Sequence, residues 1–94
     1  MRTSHKVLLR LYHDPQFRFG DVGVRYIDRG APGDESCVSG EEIAALDRDY
    51  FEVTSPDMPG GRKPVPYHRI LAISYQGRVV WDRMTGEALP AGDS

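Results

Sequence analysis

The sequence predicts an α+β fold in which an N-terminal helix packs on a curved antiparallel sheet or a small, partly closed β-barrel. Three observations carry this. Val7, Leu8, Leu11 and Tyr12 recur at helical spacing. The later chain instead alternates apolar and polar residues at the strand period, in short runs broken by Gly and Pro. Around Gln76-Gly77, finally, Ala72 to Tyr75 and Arg78 to Trp81 carry large apolar groups on both faces, so neither face can be wholly wet.

The helix is expected over Ser4–His13, with Ser4 as N-cap and Asp14-Pro15 as its stop, because a residue before proline avoids the α region. Lys6 and Arg10, four apart, would share a solvent face. Val22 to Arg29 reads as a strand with Val22, Val24 and Tyr26 on one face and Arg25 on the other. Arg29-Gly30-Ala31-Pro32-Gly33-Asp34 is a turn-rich loop whose amides could form an anion-binding nest. Ser36–Val38 reads as extended. Ile43–Leu46 and Tyr50–Thr54 read as strands joined at Asp47-Arg48-Asp49, although Ser39-Gly40-Glu41-Glu42 could instead cap a short helix through Leu46. Ser55–Lys63 holds two prolines and two glycines and reads as an exposed loop.

Val65-Pro66-Tyr67-His68-Arg69-Ile70 stands out. Proline suits the first position of a helical turn, so 66–70 reads as one 3₁₀ or α turn leading into a strand. Such a turn would expose His68 and Arg69 while Val65 and Ile70 anchor it. Leu71–Arg83 reads as a hairpin on a two-residue Gln76-Gly77 turn, which sets Ile73 and Tyr75 on the face of Val80 and Ala72 opposite Trp81. Residues 1–83 read as one domain and 84–94, where the pattern is lost, as a flexible C-terminal tail.

Composition limits the chemistry. Ninety-four residues support one modest core, and no apolar run is long enough to span a bilayer. The apolar patch after Lys6 is too short for a signal peptide. A single cysteine, Cys37, excludes an intrachain disulfide, and a reducing cytoplasm is the simplest expected setting. His5, His13 and His68 have no carboxylate at a metal-binding spacing, so neither metal nor cofactor is expected. The carboxylate pairs Asp34-Glu35 and Glu41-Glu42 read as surface charge. The net charge of −2 does not suggest a general nucleic-acid binder. That charge is segregated, however: residues 34–57 carry eight acids against one base, whereas 62–83 carry five bases against one acid.

His68-Arg69 offers a planar fork and a protonatable donor, which suits a phosphate. Arg29 could add a second fork, and Tyr67 and Trp81 could stack on a base or ribose. A purely structural role is the alternative, with His68 on a backbone carbonyl and Arg69 paired with Asp82 or Asp28.

Tyr26-Ile27-Asp28-Arg29-Gly30-Ala31-Pro32-Gly33-Asp34, Gly40 with Ile43, Pro66-Tyr67-His68-Arg69-Ile70, and Gly77 with Val80-Trp81-Asp82-Arg83 resemble the RNA cyclic group end recognition domain family, small and mainly archaeal proteins. Val7-Leu8-Leu9-Arg10-Leu11 matches that family's leading helix, and the likeness covers about residues 5–83. It departs from the family at Tyr12-His13-Asp14, where a tryptophan is expected before the acid, and in a longer Ser55–Lys63 loop. The resemblance implies a non-catalytic module that binds RNA 3′ ends bearing a 2′,3′-cyclic phosphate or a similar terminus, in company with RNA-processing enzymes. Carried over residue by residue, Arg29, Gly30, Pro32, Gly33 and Asp34 form one wall of the site. Tyr67, His68 and Arg69 form the other, supported by Trp81 and Arg83. The two turns are expected to face each other and clamp one phosphate. Two other readings stay open: a cyclic phosphodiesterase or nuclease using His68, and a protein–protein adaptor. The enzyme reading lacks the paired His-x-Thr/Ser arrangement, since Val7, Pro15 and Ile70 stand two residues after the three histidines.

Overall fold

The computed structural model of the chain describes residues 3–56, 58–84 and 86–87. One helix, α1 (Thr3–His13), precedes β1 (Val22–Ile27), β2 (Glu35–Ser39), β3 (Ile43–Leu46), β4 (Tyr50–Thr54), β5 (Arg62–Pro66), β6 (Ile70–Tyr75), β7 (Arg78–Asp82) and β8 (Gly86–Glu87). The strands form two antiparallel sheets, in the orders β2-β1-β6-β7-β8 and β3-β4-β5. The fold is therefore α+β with an N-terminal helix on sheet, as expected, and the sheets do not close into a barrel.

Helical spacing puts Val7, Leu8 and Leu11 on one buried face, where they join Val22, Val24, Phe51, Val65, Ile73, Val80 and Trp81 in a single core. Ser4 is not the cap. It lies inside the helix, and its hydroxyl donates to the Tyr67 carbonyl at 3.3 Å. The helix stops where expected: Asp14 accepts hydrogen bonds from the Gln16 backbone and side-chain nitrogens, bridging Pro15. On the flank Lys6 is exposed, but Arg10 is half-buried.

In β1 the alternation holds, with Val22, Val24 and Tyr26 buried and Arg25 exposed beside Glu35 at 3.1 Å. Ser39 and Glu42 form a reciprocal capping box, but the turn it starts is a single 3₁₀ turn, Gly40–Glu42. The chain then enters β3 as a strand, so the alternative helix through Leu46 is not formed.

Around β5 two further expectations need correction. Lys63 is not in a loop. β5 already begins at Arg62, and Lys63 Nζ lies 2.9 Å from Asp28 Oδ1, which ties the second sheet to the end of β1. Pro66 likewise closes β5 rather than opening the turn: with φ −62° and ψ 142° it is the extended residue before a 3₁₀ turn of Tyr67–Arg69.

The 71–83 hairpin forms, with Gln76 and Gly77 both at positive φ. Next to the turn its register is the expected one, Tyr75 with Arg78 and Ser74 with Val79, but beyond that it shifts by one residue, so that Ile73 pairs with Trp81 and Ala72 with Asp82. Val80 is the extra residue of a bulge. This irregularity lets two successive residues, Val80 and Trp81, both be buried, which strict alternation forbids. Within the segment expected to be a tail, Gly86 and Glu87 pair with β7, and residues 85 and 88–94 lie outside the described residues.

Candidate functional site

A 3₁₀ turn has three residues per turn, so the three side chains of Tyr67–Arg69 leave it in different directions. Tyr67 points inward and is 3% exposed. Its ring stacks on His5 at 4.0 Å, and its hydroxyl donates to the Asp47 carbonyl at 2.6 Å. Burial, with the nearby Asp47 charge, pushes the phenol up to about 12, so it stays a neutral donor. A ring covered in this way has no face left for a nucleobase, which corrects the stacking role considered for Tyr67.

His68 is exposed and borders a pocket of about 290 Å³ lined by Thr3, Ser4, Tyr67, His68, Ile70, Trp81 and Arg83. This places His68 with Trp81 and Arg83, as expected, and adds the start of α1, which the sequence did not point to. Four features make the pocket attractive to an anion. The first turn of α1 holds no acidic residue to offset the positive end of the helix dipole. His68 and the Arg83 side chain have no hydrogen bond or ion pair with other described residues. No described carboxylate lines the pocket. Trp81 is 8% exposed, and its buried indole N–H has no hydrogen-bond partner among the described residues. A buried donor left without a partner costs about 1–3 kcal/mol. Burial also removes Trp81 as a stacking face and leaves it the role of hydrogen-bond donor.

Arg69 lines a different hollow, of about 560 Å³, with Tyr50, Glu52, Pro64 and Pro66. Its charge reaches Asp28, whose carboxyl is held below its usual range by Ser36 Oγ (2.6 Å), then by Lys63, with Arg69 adding least. No ion pair of Arg69 with Asp28 or Asp82 is present among the described residues.

The loop after β1 is closed on itself. Gly30, Gly33 and Asp34 take positive φ. The Asp28 amide donates to the Asp34 carbonyl, and the Gly30 amide donates to Asp34 Oδ1 at 3.3 Å. The Gly30 amide of the expected nest is thus filled by the protein's own carboxylate, so Asp34 shapes the loop. Arg29 and Pro32 are exposed. None of Arg29, Gly30, Pro32, Gly33 and Asp34 lines the His68 pocket. Their link to the Arg69 side of the turn runs through Asp28 and Lys63.

The three histidines are dispersed. His5 is buried against Tyr67, His13 lines a cleft with Tyr12 and Phe19, and His68 borders the pocket without a second imidazole. Among the described residues no group of three or more His, Cys, Asp or Glu could hold a metal, and no helix is long and apolar enough to cross a membrane. Sequence reasoning missed Thr3, His5, Ser36 and Lys63. The only signal for them was the polar Thr3-Ser4-His5 run ahead of an apolar helix, which reads more simply as a cap.

A UPF0248 protein of Archaeoglobus fulgidus is 38% identical over 69 residues, covering 73% of this chain and 88% of the relative. One from Thermococcus gammatolerans is 33% identical over 79 residues, covering 83% and 86%, and one from Thermococcus kodakarensis is 33% identical over 78 residues, covering 82% and 86%. No solved structure matches the chain. The family profile described as the MJ1316 RNA cyclic group end recognition domain matches residues 1–83, which take in the helix, β1 to β7 and every residue of the pocket. The chain belongs to that family.

Proposed function

We propose that the protein binds, without turning over, RNA whose 3′ end carries a 2′,3′-cyclic phosphate, and that it holds the phosphate in the His68 pocket. One observation carries the reading. Trp81, whose buried indole N–H has no partner among the described residues, borders one small pocket with His68, Arg83 and the start of α1, and no described carboxylate lines it. An acceptor-only anion satisfies all of these donors, and the pocket's volume suits a compact ribose–phosphate rather than a duplex. His68 has no second imidazole or carboxylate beside it among the described lining residues, which favours binding over hydrolysis, since that needs one group to activate water and another to protonate the leaving oxygen. The family's name points to the same class of ligand.

The test is fluorescence anisotropy with one short RNA ending in a 2′,3′-cyclic phosphate, a 3′-phosphate or a 3′-hydroxyl. The cyclic end binds tightest and the hydroxyl end weakest. Loss of a charge-assisted hydrogen bond in His68→Ala or Arg83→Ala weakens the cyclic end roughly ten- to a hundredfold and barely alters the hydroxyl end. Equal affinity for all three ends contradicts the proposal, as does accumulation of opened phosphate that vanishes in His68→Ala.

A further inference from the structure

His68 and Arg69 are consecutive, yet they border two hollows, one on each side of the 67–69 turn. We propose that the hollow beside Arg69 is a second subsite, which takes the base of the nucleotide preceding the one whose phosphate sits by His68. This rests on the end-binding reading above and extends it to a two-nucleotide footprint.

The hollow has the makeup of a base platform. Tyr50 pairs across the strands with Pro66, and Glu52 with Pro64, so one half-exposed aromatic ring and two proline rings share a patch of the second sheet. Proline lacks an N–H, so β5 offers ring surface here in place of donors. Arg69, half-exposed, borders this patch with a planar cation that can stack on a base. Glu52 is engaged by Arg62 at 3.2 Å.

Charge decides between base and phosphate. The Tyr50 phenol is pushed up first by the Asp47 charge, and Glu52 and Asp49 act in the same direction. These carboxylates repel a phosphate, whereas an uncharged base has flat apolar faces and amino groups that they can accept from. The His68 pocket has the opposite character, lined by no described carboxylate and rich in donors. The turn therefore separates a phosphate site from a base site, and a single strand crossing it fills both.

The probes are a 2′,3′-cyclic mononucleotide, a dinucleotide ending in the same cyclic group, and that dinucleotide with its first base removed. Calorimetry on the whole chain is expected to show the dinucleotide binding roughly tenfold tighter than the mononucleotide, as one stacked base provides. The abasic dinucleotide falls back to the mononucleotide's affinity. Tyr50→Ala and Arg69→Gln remove the dinucleotide's advantage and leave the mononucleotide within about twofold, which also shows that the variants are folded. If the mononucleotide binds and neither Tyr50→Ala nor removal of the base weakens the dinucleotide, the subsite is overturned while the end-binding reading stands. If neither probe binds the wild-type chain, both fall.

Discussion

His5 is the residue on which the site's rigidity turns. Its imidazole is buried, stacks flat on Tyr67, and so fixes the start of α1 against the turn that carries His68. Burial is the main cause that lowers its pKa below 6.5, the positive chain terminus adds to it, and Asp49 opposes both. The sign follows directly. Between the lowered folded value and 6.5 the unfolded chain binds more protons than the folded one, so stability rises with pH across that window. The contribution is complete above 6.5 and is lost as pH falls through the window. Thermal unfolding followed from pH 7.5 down to pH 5 should therefore show a falling midpoint in the wild type. The fall should be shallower in His5→Phe, which keeps a flat ring on Tyr67 and cannot take a proton. Parallel profiles for the two proteins would show that His5 titrates freely. This contact was not legible in the sequence, because a stack between residues so far apart leaves no local signature. Tyr67 was singled out correctly as belonging to the turn, yet a tyrosine beside a histidine and an arginine reads equally well as an exposed platform.

The strands were legible wherever the period was clean, as in β1, β4 and the 71–83 hairpin. What failed was local. Two adjacent large apolar residues, Val80 and Trp81, are the trace that a bulge leaves in a sequence, and a regular two-residue turn masks it. Pro66 suggested the opening of a turn, but it closes β5, an edge strand with neighbours on one side only, where a missing N–H is tolerated. Gly40 was visible in the capping stretch and in the resemblance, but its physical reason is contact. A Cβ there would meet the Phe19 carbonyl oxygen at 1.7 Å, because the 40–42 turn packs directly on the short 3₁₀ turn ahead of β1. Backbone cannot swing aside as a flexible side chain can. Gly40→Ala should cost about 3 kcal/mol, the upper end for overpacking, which lowers the unfolding midpoint of a domain this size by about 10–20 °C. Gly20→Ala is the control, since its Cβ meets only the flexible Glu41 side chain, at 3.2 Å. Similar melting of the two variants would contradict the close approach.

At the scale of the whole molecule, charge and topology divide the work. The acidic stretch 34–57 spans β2, β3 and β4, and the basic stretch 62–83 spans β5, β6, β7 and the His68 turn. A strand of RNA is repelled from the first and drawn to the second, so a chain of net charge −2 can still bind RNA at its end. That segregation was readable from the sequence. The convergence was not, because the pocket is built by α1, the 67–69 turn and the end of β7, three pieces that only the packing of helix on sheet brings together. The central claim is that Trp81 gives its unpaired N–H to the terminal phosphate. Trp81 is the one tryptophan in the chain, so a nitrogen-15 correlation spectrum contains a single indole N–H signal. Titration with RNA ending in a 2′,3′-cyclic phosphate should move that signal downfield to saturation at the affinity measured by anisotropy, while the hydroxyl-ended RNA leaves it in place. An indole signal unmoved at saturating cyclic-phosphate RNA, or shifted equally by both ends, would contradict the account.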